Sequence, residues 1–206
     1  MRRLPTLATV LALTATLASC GGGDDSDGDK PSASDVPESA VAVVGDAEIS
    51  NSQLRRRVAA LRRAQPQAAK GQQAAKPAQD QLEQQALSIL LQGAAIEQEA
   101  ADRGIEVSNA EVRKRWDAVA KSQFRNKKAL RRFLGGQTKQ DIVRQLRLQT
   151  LTERIHEQVS EEAGGGKKGA KAVQEFQKSF QERWRDRTAC RDGQSAAGCQ
   201  DTNASE

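Results

Sequence analysis

Three cysteines and a single histidine have the widest chemical repertoire in this chain, and their neighbours decide what each can do. His156 stands close to Glu153 and Glu157 in a segment patterned as a helix. General acid–base work would need a nucleophile or a second titrating group held against the imidazole, and none stands at a recognisable spacing. A solvated or partly packed histidine is the expectation. Gly21-Gly22-Gly23 and Gly164-Gly165-Gly166 lack the preceding strand and the Lys-Ser/Thr that a phosphate loop requires. Cys190 and Cys199 are separated by eight residues that include Gly193 and Gly198, a loop that an oxidising compartment can close as a disulfide. A metal pair is the rival use, but two cysteines without histidine or carboxylate spacing make a poor zinc set. No catalytic residues, no metal and no cofactor are expected, so the residues point to binding rather than to an enzyme.

The third thiol, Cys20, has a more specific setting. Arg2 and Arg3 precede an apolar run from Leu4 to Leu17, and Leu17-Ala18-Ser19-Cys20 closes it. A secretory signal has this form, and the run is too short to cross a hydrocarbon layer of about 30 Å as a helix. The four closing residues resemble the lipobox of bacterial lipoproteins. That resemblance implies removal of residues 1–19 and attachment of a diacylglyceryl group to Cys20, and two or more acyl chains anchor firmly where one holds marginally. The mature chain is then expected in the cell envelope, on the outer face of the cytoplasmic membrane.

Composition narrows the rest. Aromatic residues are 3% of the chain, tyrosine is absent and charged residues are 29%. So little large apolar side chain supports a thin core and an open helical shape better than a compact globule. The net charge of +5 becomes about +3 without Arg2 and Arg3, too small a bias to suggest nucleic acid as a partner.

Along the chain, residues 20–39 (Cys20, then GGGDDSDGDKPSASDVP and its continuation) read as a tether without apolar periodicity. Val41, Val43 and Val44, a turn at Gly45-Asp46, and Ala47 to Ile49 predict a two-stranded element. Ser50 with Gln53 has capping-box spacing for a first helix whose inner stripe is Leu54, Val58 and Leu61, with five arginines outside. Gln65 to Pro77 reads as a long connection. A second helix, Gln79 to Arg103, is apolar on more than one face and should be central; Gly104 ends it. Ser108 and Glu111 cap a third helix carrying Val112, Trp116 and Val119. A short helix is expected around Lys127 to Leu134, and Thr138 with Asp141 caps a long one to about Glu162. Gly164 to Gly169 reads as a joint, residues 164–169, before a C-terminal helix over 170–189 with Val173, Phe176, Phe180 and Trp184 in one stripe. Residues 190–206 are expected as a disulfide loop and tail.

The order VAVVGDAEIS, ADRGIEVSNAEV, FRNKKALRRFLGG, TKQDIVRQLRLQTLTERI resembles the N-terminal chaperone region of the SurA and PrsA family of envelope foldases. It covers about Val41 to Val159, and its most specific piece runs from Gly104 to Val112, followed by Gly135-Gly136 and Ile142 to Leu146. The resemblance implies a mainly α, SurA N-terminal-like domain over residues 40–163, with the short two-stranded element before it and a closing helix after it. In that family a parvulin-type prolyl isomerase module usually stands before the closing helix. Here the chain passes directly from Val159 through the Gly-Lys joint to QEFQKSFQERWRDRTAC, and a single histidine does not supply a parvulin site. The implied function is a holdase that binds unfolded or nascent exported polypeptides without catalysis; the alternative is an adaptor lipoprotein gripping one folded partner through the aromatic last helix. Trp116, Phe124, Leu130, Phe133 and Leu134, beside Arg113, Lys114, Arg125, Lys127 and Arg131, form the candidate client-binding group. Two uses stay open for these apolar side chains, client contact or packing of the domain itself.

Overall fold

The computed structural model describes residues 30–64, 78–124, 126, 130 and 138–199. After a 3-10 turn at Ala33–Asp35 come β1 (Ala40–Val44), β2 (Ala47–Ser50), α1 (Asn51–Ala64), α2 (Gln79–Asp102), α3 (Asn109–Gln123), α4 (Lys139–Glu162), α5 (Gly166–Asp186) and β3 (Thr188–Cys190). The fold is mainly α, with a small sheet at the end where both termini of the described chain meet.

Helix starts follow the polar signals. Ser50 N–H donates to Gln53 Oε1 at 2.6 Å while Gln53 N–H donates to Ser50 Oγ at 3.2 Å, a reciprocal box that opens α1. Ser108 Oγ accepts from Glu111 N–H at 3.1 Å before α3. Thr138 and Asp141 exchange bonds of 2.8 and 3.1 Å before α4. Each cap satisfies at least one amide donor that the first helical turn leaves without a partner.

The sheet has three strands, not two, in the order β2-β1-β3. β1 pairs antiparallel with β2, Val43 opposite Glu48 and Val44 opposite Ala47. On its other edge β1 pairs with β3, Ala42 opposite Cys190 and Val44 opposite Thr188. Being central explains why β1 is apolar almost throughout: helices cover one face, and Val36 with Ala189 lies on the other. β3 is three residues long, without any alternation to read, and its partner stands almost at the other end of the chain. The 170–189 helix expected from the sequence therefore stops at Asp186 and gives way to strand.

Two further expectations change. Residues 30–39 are not tether: Ser32 and Asp35 cap the 3-10 turn, Val36 is buried, and Lys30 Nζ lies 3.2 Å from Asp186. The joint is shorter than 164–169, because α5 begins at Gly166 after Gly164 and Gly165, both with positive φ. Gly169 belongs to the helix contact instead. A Cβ there would sit 2.1 Å from Ser160 Oγ and 2.8 Å from the Ser160 carbonyl, so only glycine lets α5 cross α4 this closely. The 65–77 connection lies outside the described residues, as does the expected Lys127–Leu134 helix except for Leu130.

Two apolar clusters share α2. The first joins Val41, Val44, Ile49, Leu54, Val58, Leu87, Leu91 and Trp184. The second joins Ala100, Val107, Val112, Leu151, Ile155 and Val159, with Val173 and Phe176 packed against it. At about 1.5–3 kcal/mol for each large side chain removed from water, these contacts hold the three long helices together.

Candidate binding groove

α2, α4 and α5 meet along a groove of about 670 Å³. α2 supplies Leu91, Ala95 and Ile96; α4 supplies Thr152, Ile155 and His156; α5 supplies Phe176, Phe180 and Trp184. The spacing of three and four on each helix brings these side chains to one face. Phe176 and Phe180 are half-buried, their centroids 5.7 Å apart, and Phe180 stands 6.2 Å from Trp184. Gln92, Gln177 and Gln181 are exposed on the rim. The arrangement is an apolar floor with amide and hydroxyl edges. Such a lining suits an apolar ligand that also carries hydrogen-bonding groups.

The loop after β3 closes one end. Cys190 Sγ lies 2.10 Å from Cys199 Sγ with Cα atoms 5.5 Å apart. Through this bond Gly198 rests against Leu91, 3.4 Å from where its Cβ would be. Ala197 and Gly198 thereby become part of the lining.

A buried acid fixes α5 against α2. Glu99 is 4% exposed. Its carboxylate accepts from Arg103 Nε at 2.7 Å, from Arg183 at 2.7 Å and from Trp184 Nε1–H at 3.0 Å. Burial pushes its carboxyl upward, but the bonds from Arg103, Trp184 and Arg183 outweigh that and hold it below the usual range. The same arginines lie over aromatic faces: Arg103 is 4.9 Å from the Phe176 centroid and Arg183 5.7 Å. Arg187 covers Trp184 at 4.4 Å and pairs with Asp102 at 3.2 Å. The aromatic stripe is thus held in place by charges on its flanks, leaving Phe176 and Phe180 open toward the groove.

The residues singled out from the sequence fall elsewhere. Trp116 is 4% exposed, a turn beyond Val112 on the face of α3 that packs toward α4, so its ring is not open to a ligand in this structure. Phe124 and Leu130 are half-buried. Phe133 and Leu134, like Cys20, lie outside the described residues. Arg113 and Lys114 are exposed, while Arg115 forms a bidentate pair with Glu153 at 2.7 and 2.8 Å and ties α3 to α4. His156 lies on the groove wall, its ring edge-on to Phe176 at 6.3 Å and its Nε2 3.4 Å from the Gln177 amide. Glu99 was missed by sequence reasoning, though a signal existed: an acid one turn past Leu91 and Ala95 on the apolar row of the most apolar helix. Among the described residues no group of three or more metal-ligating side chains occurs, and no helix is long and apolar enough to cross a membrane.

Comparison with known proteins gives one match. The model of a family described as SurA-like N-terminal domain matches residues 2–156, most of the chain and everything through α4 as far as His156. No curated protein and no solved structure matches.

Proposed function

The chain belongs to the SurA-like N-terminal domain family, and from that membership and the groove we propose that it is an envelope chaperone holding unfolded exported polypeptides. Its role is binding, without intrinsic prolyl isomerase catalysis. The observation that carries the reading is the open aromatic floor of the groove, Phe176 and Phe180 half-exposed above Ile155 and Leu91. An unfolded chain offers apolar side chains and unpaired backbone amides, and the groove offers partners for both. Rim charge and glutamines limit adhesion to a reversible contact. Phe124 and Leu130 are assigned a secondary share of the contact. A lipid on Cys20 holds the domain at the outer face of the cytoplasmic membrane.

The test is light scattering of two unrelated denatured proteins diluted into the soluble chain with Cys20→Ser. Suppression of aggregation near equal molar ratio, lost on Phe176→Ser/Phe180→Ser with helicity retained, is the expected result. No suppression at several-fold excess by a folded sample would move the assignment to an adaptor that grips one native partner through α5. The anchor has its own test: radiolabelled palmitate should enter the wild-type chain in a lipoprotein-processing bacterium and not the Cys20→Ser chain.

A further inference from the structure

The outer face of α1 contributes to neither apolar cluster nor to the groove. α1 contains no acidic residue, and Arg55, Arg56, Arg62 and Arg63 are all exposed. Helical residues advance about 100° each, so side chains seven apart nearly superimpose. The four guanidinium groups therefore occupy about a third of the circumference, turned away from Leu54 and Val58 in the core. Arg55, Arg56 and Arg62 enter no ion pair among the described residues. Across the α1–α4 junction Arg57 feels Asp141 more strongly than Arg144, and Asp141 also attracts Arg63, so that edge of the face is partly neutralised while Arg55, Arg56 and Arg62 are not. A one-signed face this dense, with Arg55, Arg56 and Arg62 outside every ion pair among the described residues, is built to meet a surface of opposite sign.

Its position narrows the kind of surface. Asn51 donates through its backbone N–H and through its side-chain amide, both at 3.2 Å, to the Ser39 carbonyl, so α1 begins beside the segment by which the chain enters the fold. Ten residues from Cys20 to Lys30 span at most about 35 Å. An acyl group on Cys20 would therefore keep these arginines within reach of the headgroups around it. We propose that the arginine face of α1 docks on anionic phospholipid headgroups of the membrane that carries the anchor. The inference uses the proposed anchor for placement, and its test dispenses with it.

The experiment is sedimentation of the chain from residue 20 onward, with Cys20→Ser and no acyl group, with phosphatidylcholine vesicles containing or lacking phosphatidylglycerol. Binding is expected only to the anionic vesicles, and lost near 1 M salt, where the screening length falls to about 3 Å. Each basic residue at such a surface strengthens binding about fivefold. The triple variant Arg55→Gln/Arg56→Gln/Arg62→Gln should thus bind roughly a hundredfold more weakly with an unchanged circular dichroism spectrum. Lys167→Gln/Lys168→Gln/Lys178→Gln, which removes the same charge from exposed α5 positions, should change binding only a few-fold. Equal losses in the two triples would reduce the effect to net charge and overturn the proposal. So would absence of binding, equal binding to neutral vesicles, or competition by soluble polyphosphate at matched phosphate concentration, which would mark a free polyanion as the occupant. Phe176→Ser/Phe180→Ser should leave vesicle binding intact, so failure of the chaperone reading and failure of the docking face are separable.

Discussion

Replacing Glu99 probes what holds the groove together. Its carboxylate, with a side chain 6% exposed, takes three donors, and their fates differ once it is gone. The Arg103 and Arg183 side chains are 21% and 40% exposed, so water can take over their bonds at modest cost. Trp184 is 3% exposed, and its indole N–H has no such recourse. An unpaired buried donor costs about 1–3 kcal/mol, whereas stripping one partner from a fully buried ion pair costs about 3–5 kcal/mol. Partial hydration of the arginines places Glu99→Ala near 3 kcal/mol. Glu99→Gln keeps an oxygen for Trp184 and should cost about 1–2 kcal/mol. At about 2–4 °C per kcal/mol in a domain of this size, the alanine variant should melt roughly 6–12 °C lower. pH supplies an independent check. Because the folded carboxyl is held below its ordinary value near 4.3, its contribution is complete above that value and fades as pH falls through the folded one. Urea titrations at pH 7 and pH 3 should show the parent losing more stability on acidification than Glu99→Gln does. Asp141 and Glu153, also held low, titrate equally in both proteins. A glutamine variant as stable as the parent at pH 7, with the same acid loss, would refute the latch.

Gly169→Ala should destabilise by about 1–3 kcal/mol through the clash with Ser160, visible as a lower urea midpoint, since the nearest backbone atom would be 2.8 Å away. Cys190→Ser/Cys199→Ser should cost about 2 kcal/mol for a loop this short, and should loosen the Gly198 wall enough to weaken client binding in the scattering assay. A double-mutant cycle on Arg115 and Glu153 should return only about 0.5–1 kcal/mol despite the bidentate geometry, because the side chains are 35% and 49% exposed. Phe176→Ser/Phe180→Ser should abolish aggregation suppression while thermal melts still show a cooperative transition.

Local physics was legible in the residues. Ser50 with Gln53, Ser108 with Glu111 and Thr138 with Asp141 announced three helix starts, because a cap is a contact over three positions and needs nothing distant. The 3.6-residue stripe of α1 named its inner face: Leu54 and Val58 are buried. The hairpin followed from the valines around Gly45. Tertiary structure decided what depends on partners far along the chain. Trp116 and Phe180 both stand on apolar helix faces, and a stripe does not say whether a neighbour covers it; α3 turns one toward α4, while the gap between α2, α4 and α5 leaves the other half-open. Gly169 reads as a break until α4 crosses so close that an added Cβ would meet Ser160 at 3.1 Å or less. β3 has no pattern of its own, since its hydrogen-bonding edge is supplied by β1 across nearly the whole fold. Glu99 is an ordinary helix acid until Arg183 and Trp184 arrive from α5. Sequence sets the face each element must bury, and only the packed chain decides which faces find a cover.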